Sequence, residues 1–70
     1  MSVVIIFGKA HCPYTEAAIE DCQHRDVAFE YVDVKARAAD LDRMLVFSQG
    51  KRRVPVIVDG EKVTIGFGGT

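Results

Sequence analysis

The chain has 70 residues, nine Lys and Arg against ten Asp and Glu, a formal net charge of -1, and a hydrophobic share of 49%. This composition excludes a disordered polyelectrolyte and supplies no global basic field for nucleic acid or an anionic membrane surface. Its apolar runs fall far short of the roughly 20 residues a membrane helix needs, no secretory signal pattern opens the chain, and Cys12 and Cys22 cannot build a secreted disulfide scaffold.

"SVVIIF" (2–7) is a continuous β-branched run, the pattern of a strand buried on both faces. Gly8 and Lys9 begin a loop, and Pro13 after Cys12 suits the first turn of a helix. "YTEAAIEDCQHR" (14–25) is then expected as that helix, acidic early and basic late, with Ala18, Ile19 and Cys22 on its inner stripe. "AFEYVDV" (28–34) alternates as a strand, and "ARAADLDRMLVFSQG" (36–50) reads as a second helix stopped by Gly50. Its inner face is expected at Ala38, Leu41, Leu45 and Phe47 or Ser48. "VPVIV" and "KVTI" follow as a hairpin turning at Asp59-Gly60.

The order βαβαββ predicts one α/β domain over residues 1–70. The first two strands lie parallel through a right-handed crossover, and the hairpin adds antiparallel strands to make a four-stranded mixed sheet. Its core is expected from Val3–Phe7, Val32, Leu41, Leu45, Val56 and Ile57.

Cys12 stands at the strand-to-helix turn. A free thiol is mostly protonated at neutral pH, and the thiolate is the reactive form. Unpaired N–H groups at the helix start, Lys9 three residues earlier and the adjacent His11 all favour an anion, and the Thr15 hydroxyl can reach the sulfur from one turn on. A lowered pKa is therefore expected for Cys12. The plainer alternative is a small apolar residue closing a helix start. Cys22 lies ten residues along the same helix, about 15 Å away at 1.5 Å per residue, too far for a disulfide, and is expected to be core. Cysteines and histidines at 11, 12, 22 and 24 match no zinc spacing, so no metal site is expected.

"KAHCPYT" and "RVPVIVDGEKV" resemble the Lys-x-x-Cys-Pro-Tyr-Cys and Thr-Val-Pro segments of glutaredoxins, across almost the whole chain. The short Thr-containing motif is also similar to that of some glutaredoxin-like selenoproteins. The resemblance implies a thioredoxin-like fold with Pro55 in the cis form and the Val54 backbone offered to substrate. It also implies glutathione contacts by Lys9, Tyr14, Thr15, Arg53, Gly66 and Gly68 or Gly69. Three departures stand out: Thr15 replaces the second cysteine, Arg53 replaces a threonine, and the family's Gly-Gly-x-Asp carboxylate and C-terminal helix have no counterpart in these residues.

One cysteine supports a monothiol route in which Cys12 reduces glutathione mixed disulfides of proteins or small thiols. Glutathione, or another low-molecular-weight thiol, serves as co-substrate and is not tightly bound. The alternatives are a glutathione-assisted iron-sulfur binding module, against which Pro13 and Tyr14 argue, and a thiol electron donor to a reductase. A degenerate contact domain is the plainest reading. The expected setting is cytoplasmic and the expected state a monomer, with no nucleic-acid or membrane partner.

Overall fold

The computed structural model describes residues 3–68 and contains six elements. They are β1 (Val4–Gly8), α1 (Pro13–His24), β2 (Phe29–Asp33), α2 (Ala38–Ser48), β3 (Val56–Asp59) and β4 (Lys62–Ile65). The sheet order is β2-β1-β3-β4. β1 and β2 are parallel, pairing Val4 with Phe29 and Gly8 with Asp33, while β1–β3 and β3–β4 are antiparallel. The expected α/β class, element order and mixed four-stranded sheet are therefore all observed.

The continuous apolar run of β1 has a clear use, because alternate residues of a strand point to opposite faces. Val4 and Ile6 pack with Ala18 and Cys22 of α1. Phe7 packs on the other face with Val32, Val34, Met44, Val56 and Val58, and Leu41 and Leu45 of α2 close over them. Each helix thus covers one face of the central β1–β3 pair, and β1 is needed by both cores. Full burial of side chains such as Phe7 and Ile6 contributes about 1.5–3 kcal/mol each.

Several expectations are corrected in detail. Val3 is 51% exposed because it precedes the first paired residue of β1, and Ser2 lies outside the described residues. Ala38 is exposed because it opens α2, ahead of the turns that meet the sheet. Met44, not singled out by the periodic reading, is the buried centre of the stripe Leu41–Met44–Leu45–Ser48. Phe47 instead lies half-exposed with its ring 5.8 Å from that of Phe7. The helix closes one residue before the expected Gly50. Gln49 adopts the left-handed conformation (φ 57°), and the Gly50 N–H donates to the Leu45 carbonyl at 2.9 Å. The hairpin turn is Gly60-Glu61, since Asp59 pairs with Lys62. Gly60 has φ 61°, which suits glycine at the first central position of a two-residue loop.

Candidate functional site

The site grows from the carboxyl end of β1, where the chain turns into α1 within four residues. His11 makes that turn in the left-handed region (φ 61°). Cys12 then serves as N-cap with extended backbone (φ -93°, ψ 115°), its carbonyl accepting the first helical bond from the Glu16 N–H at 2.9 Å. Pro13 follows at the first helical position, where its missing N–H costs nothing. The Cys12 side chain makes no capping hydrogen bond, and its residue is only 6% exposed.

The Cys12 thiol is held below its ordinary pKa. The largest cause is the Thr15 hydroxyl; burial opposes it, and the Thr15 and Tyr14 backbone N–H groups and the Lys9 charge add to it. Cys22 goes the other way: burial pushes its thiol up, and Arg25 offsets this only in part. Both cysteines are free, and the turns of α1 run unbroken between them.

Thr15, on the inner stripe of α1, is 1% exposed. Its side chain fills the space beside Gly8, where any added Cβ would overlap the threonine. Gly8 is thus required by close approach, a role that sequence reading did not give it.

The other expected contacts fall into groups. Lys9 and Val54 meet in a cleft of about 110 Å³, joined by Lys35 and Arg52 and lined with Val34 and Met44. None of the three cations has an ion-pair partner among the described residues. Arg52 and Arg53 are both exposed, and it is Arg52, not the expected Arg53, that lines the cleft. Lys35 was not anticipated, although it follows β2 as Lys9 follows β1, and the carboxyl ends of parallel strands are where α/β sheets bind ligands. The Val54–Pro55 peptide is cis, as the resemblance implied. The Pro55 carbonyl accepts a bond from the Gly66 N–H at 2.7 Å, and Gly68 lies beside the Tyr14 ring. The segment after β4 thereby touches both the proline loop and the Cys-Pro-Tyr turn; Gly69 lies outside the described residues. Tyr31 of β2 is a further residue the sequence did not point to. It shares a groove with His11, Thr15 and Glu16, and its hydroxyl pKa is raised by burial, then Asp33 and Cys12.

The sequence profile of the glutaredoxin family matches residues 4–63. Among solved structures, the thioredoxin-like protein BC3987 superposes with a TM-score of 0.80 at 29% identity, covering 93% of this chain and 88% of that one. The glutaredoxin grx-1 of Archaeoglobus fulgidus gives 0.79 at 25% identity, over 97% and 78% of the two chains. NrdH-redoxin from Escherichia coli gives 0.82 over 94% and 84%, and at 23% identity it speaks for the fold alone. No curated protein sequence matches the chain. The architecture is thioredoxin-like.

Proposed function

Since the chain belongs to the glutaredoxin family, we propose that it is a thiol–disulfide oxidoreductase working through one cysteine, with a low-molecular-weight thiol such as glutathione as co-substrate. The observation that carries this reading is the placement of Cys12 as N-cap of α1, before Pro13 and Tyr14, with Thr15 where a second thiol would stand; the direction of its pKa agrees. Cys22 lies ten residues after Cys12 along α1, about 15 Å at 1.5 Å per residue, so it supplies no resolving thiol.

The Cys12 thiolate attacks the glutathionyl sulfur of a mixed disulfide. A sulfur–sulfur bond forms to Cys12, the substrate sulfur leaves as thiolate, and solvent protonates it. A second glutathione thiolate then attacks the adduct, giving oxidised glutathione and restoring the Cys12 thiolate. The net exchange consumes one outside thiol per mixed disulfide: the substrate sulfur leaves reduced, the incoming glutathione ends joined to the transferred glutathionyl, and no second protein sulfur takes part. Lys9, Lys35 and Arg52 suit the carboxylates of such a thiol, while Tyr14, the Val54 backbone, Pro55, Gly66 and Gly68 shape the adjoining surface. Arg53 and Thr15 adjoin these groups in sequence. A reducing, cytoplasmic setting fits a protein that works with a free thiolate, and its substrates are glutathionylated proteins or small disulfides.

The test is turnover of a glutathionylated peptide together with intact mass after exposure to oxidised glutathione. One adduct, on Cys12 alone, and activity that vanishes in Cys12→Ser are the expected results. An adduct on Cys22, or turnover that survives Cys12→Ser, would sink the proposal. A visible chromophore after anaerobic reconstitution with iron and sulfide would favour the cluster-binding alternative.

A further inference from the structure

A net charge of -1 conceals a division of the chain. Residues 1–33, which supply β1, α1 and β2, carry two Lys or Arg against six Asp or Glu. Residues 34–70, which supply α2, β3 and β4, carry seven against four. The excess of cations gathers about the cleft of Lys9, Lys35 and Arg52. Three more stand around it: Arg37, four residues before the cleft-lining Leu41, and Lys51 and Arg53, on either side of Arg52. All three are exposed, and none forms an ion pair among the described residues. Of the acids nearby, Asp40 is taken by Arg43 at 3.2 Å and Asp33 accepts the Lys35 backbone N–H at 2.8 Å, which leaves Asp42.

This arrangement works against the fold. Successive cations at 51, 52 and 53 lie within a Debye length of about 8 Å and repel. Arg37 is the N-cap of α2, at the positive end of the helix dipole, and its side chain makes no capping bond. Asp, Asn or Ser would stabilise that position. The last turn of α2, where a cation would help, holds none. Nor does a small thiol such as glutathione account for the number: its two carboxylates are matched by the three cations inside the cleft. We propose that Arg37, Lys51 and Arg53 form a docking rim for acidic polypeptides, so that the preferred substrates are proteins whose glutathionylated cysteine is flanked by Asp and Glu. The proposal rests on the thiol–disulfide reading of Cys12 and extends it to a substrate class. The acidic side of the molecule adds to the discrimination. Glu16 is exposed in the groove beside Tyr31, with the exposed Glu20 one turn on. An acidic segment is repelled there and attracted over the rim, which orients the partner as it approaches.

The test compares kcat/KM for three glutathionylated peptides of one length, their cysteine flanked by Asp, by Asn or by Lys, and for the glutathione mixed disulfide of 2-mercaptoethanol. At low salt the Asp peptide is expected to exceed the Asn peptide by about three- to tenfold, with the Lys peptide below both. The gap is expected to close in about 0.5 M sodium chloride. In the double variant Arg37→Gln, Lys51→Gln the Asp peptide should fall to the level of the Asn peptide, while the small substrate stays within about twofold of the wild type. Equal rates on the Asp and Lys peptides, or a double variant that slows the small substrate as much as the Asp peptide, would overturn the proposal. A second arm involves no thiol chemistry, so it separates failure of the rim from failure of the activity. Fluorescence anisotropy follows a labelled, cysteine-free Asp peptide added to Cys12→Ser protein. Salt-sensitive binding that the double variant weakens supports the rim whatever the turnover; binding no tighter than that of the Lys peptide overturns it.

Discussion

Cys12 caps the start of helix α1 and Cys22 lies ten residues on, in its buried stripe, and both are almost closed to solvent at 6% and 2% exposure. By burial alone they are the same residue twice. Their ionisation nonetheless moves in opposite directions, down for Cys12 and up for Cys22. The difference lies in what surrounds each sulfur. Cys12 sits where the helix has spare N–H donors, with the Thr15 hydroxyl and the Lys9 charge nearby. Cys22 sits in the last turn of α1 among Val4, Ile6 and Ala18, where the helix's own N–H groups are spent on its backbone. The direction in which each thiol shifts thus follows from its surroundings and not from burial alone.

The harshest way to break the comparison is to remove each sulfur in turn. Cys12→Ser is expected to drop turnover of a glutathionylated peptide to the uncatalysed background, and Cys22→Ala to leave it within about threefold of the wild type. Equal losses in the two variants would erase the distinction. A gentler change alters which sulfur resolves the adduct. Thr15→Cys places a thiol one helical turn from Cys12, where Cβ atoms stand about 5–6 Å apart, near the reach of a disulfide. The oxidised variant is expected to show a bond from Cys12 to the introduced thiol in a peptide map, with Cys22 still free. A pairing that involved Cys22 would mean that α1 does not hold its shape.

Gly8→Ala tests the packing behind the active end of the helix. The added methyl must push on Thr15, and overpacking of this kind costs about 1–3 kcal/mol, read from the urea midpoint at constant slope. No loss of stability would show that the Thr15 side chain moves away freely. The smallest effect is in the pH dependence of stability. Cys12 has a lowered folded pKa, so its stabilising contribution is present above the ordinary value of 9.0 and fades as pH falls through the lowered one. Cys22 has a raised folded pKa, so stability is lost as pH rises above 9.0. Urea midpoints across that range should therefore rise with pH relative to Cys12→Ala below 9.0 and fall relative to Cys22→Ala above it. Parallel curves would show that the two environments do not differ.

The strand and helix periods carried most of the architecture to the surface of the sequence. "VVIIF" announced a strand shared by two cores, and Pro13 after Cys12 announced the helix start. What stayed hidden depends on contacts between residues remote in sequence. Nothing local to Gly8 says that Thr15 lies against it, and Lys35 gains meaning only once β1 and β2 are parallel neighbours. The choice between Arg52 and Arg53 was hidden for a similar reason. In the run "KRR" both are long cations, and only the path of the loop before β3 puts Arg52 into the cleft. Ala38 misled because a helical stripe predicts facing but not where the sheet beneath it ends.

The left-handed backbone of His11 has a consequence for what any engineered library of this turn can contain. With φ at 61°, position 11 admits glycine, asparagine, aspartate or histidine at little cost, and penalises valine, isoleucine and threonine, whose branched Cβ crowds the backbone there. Selection for folding alone should therefore deplete branched side chains at this one site, before any thiol chemistry is asked of the survivors.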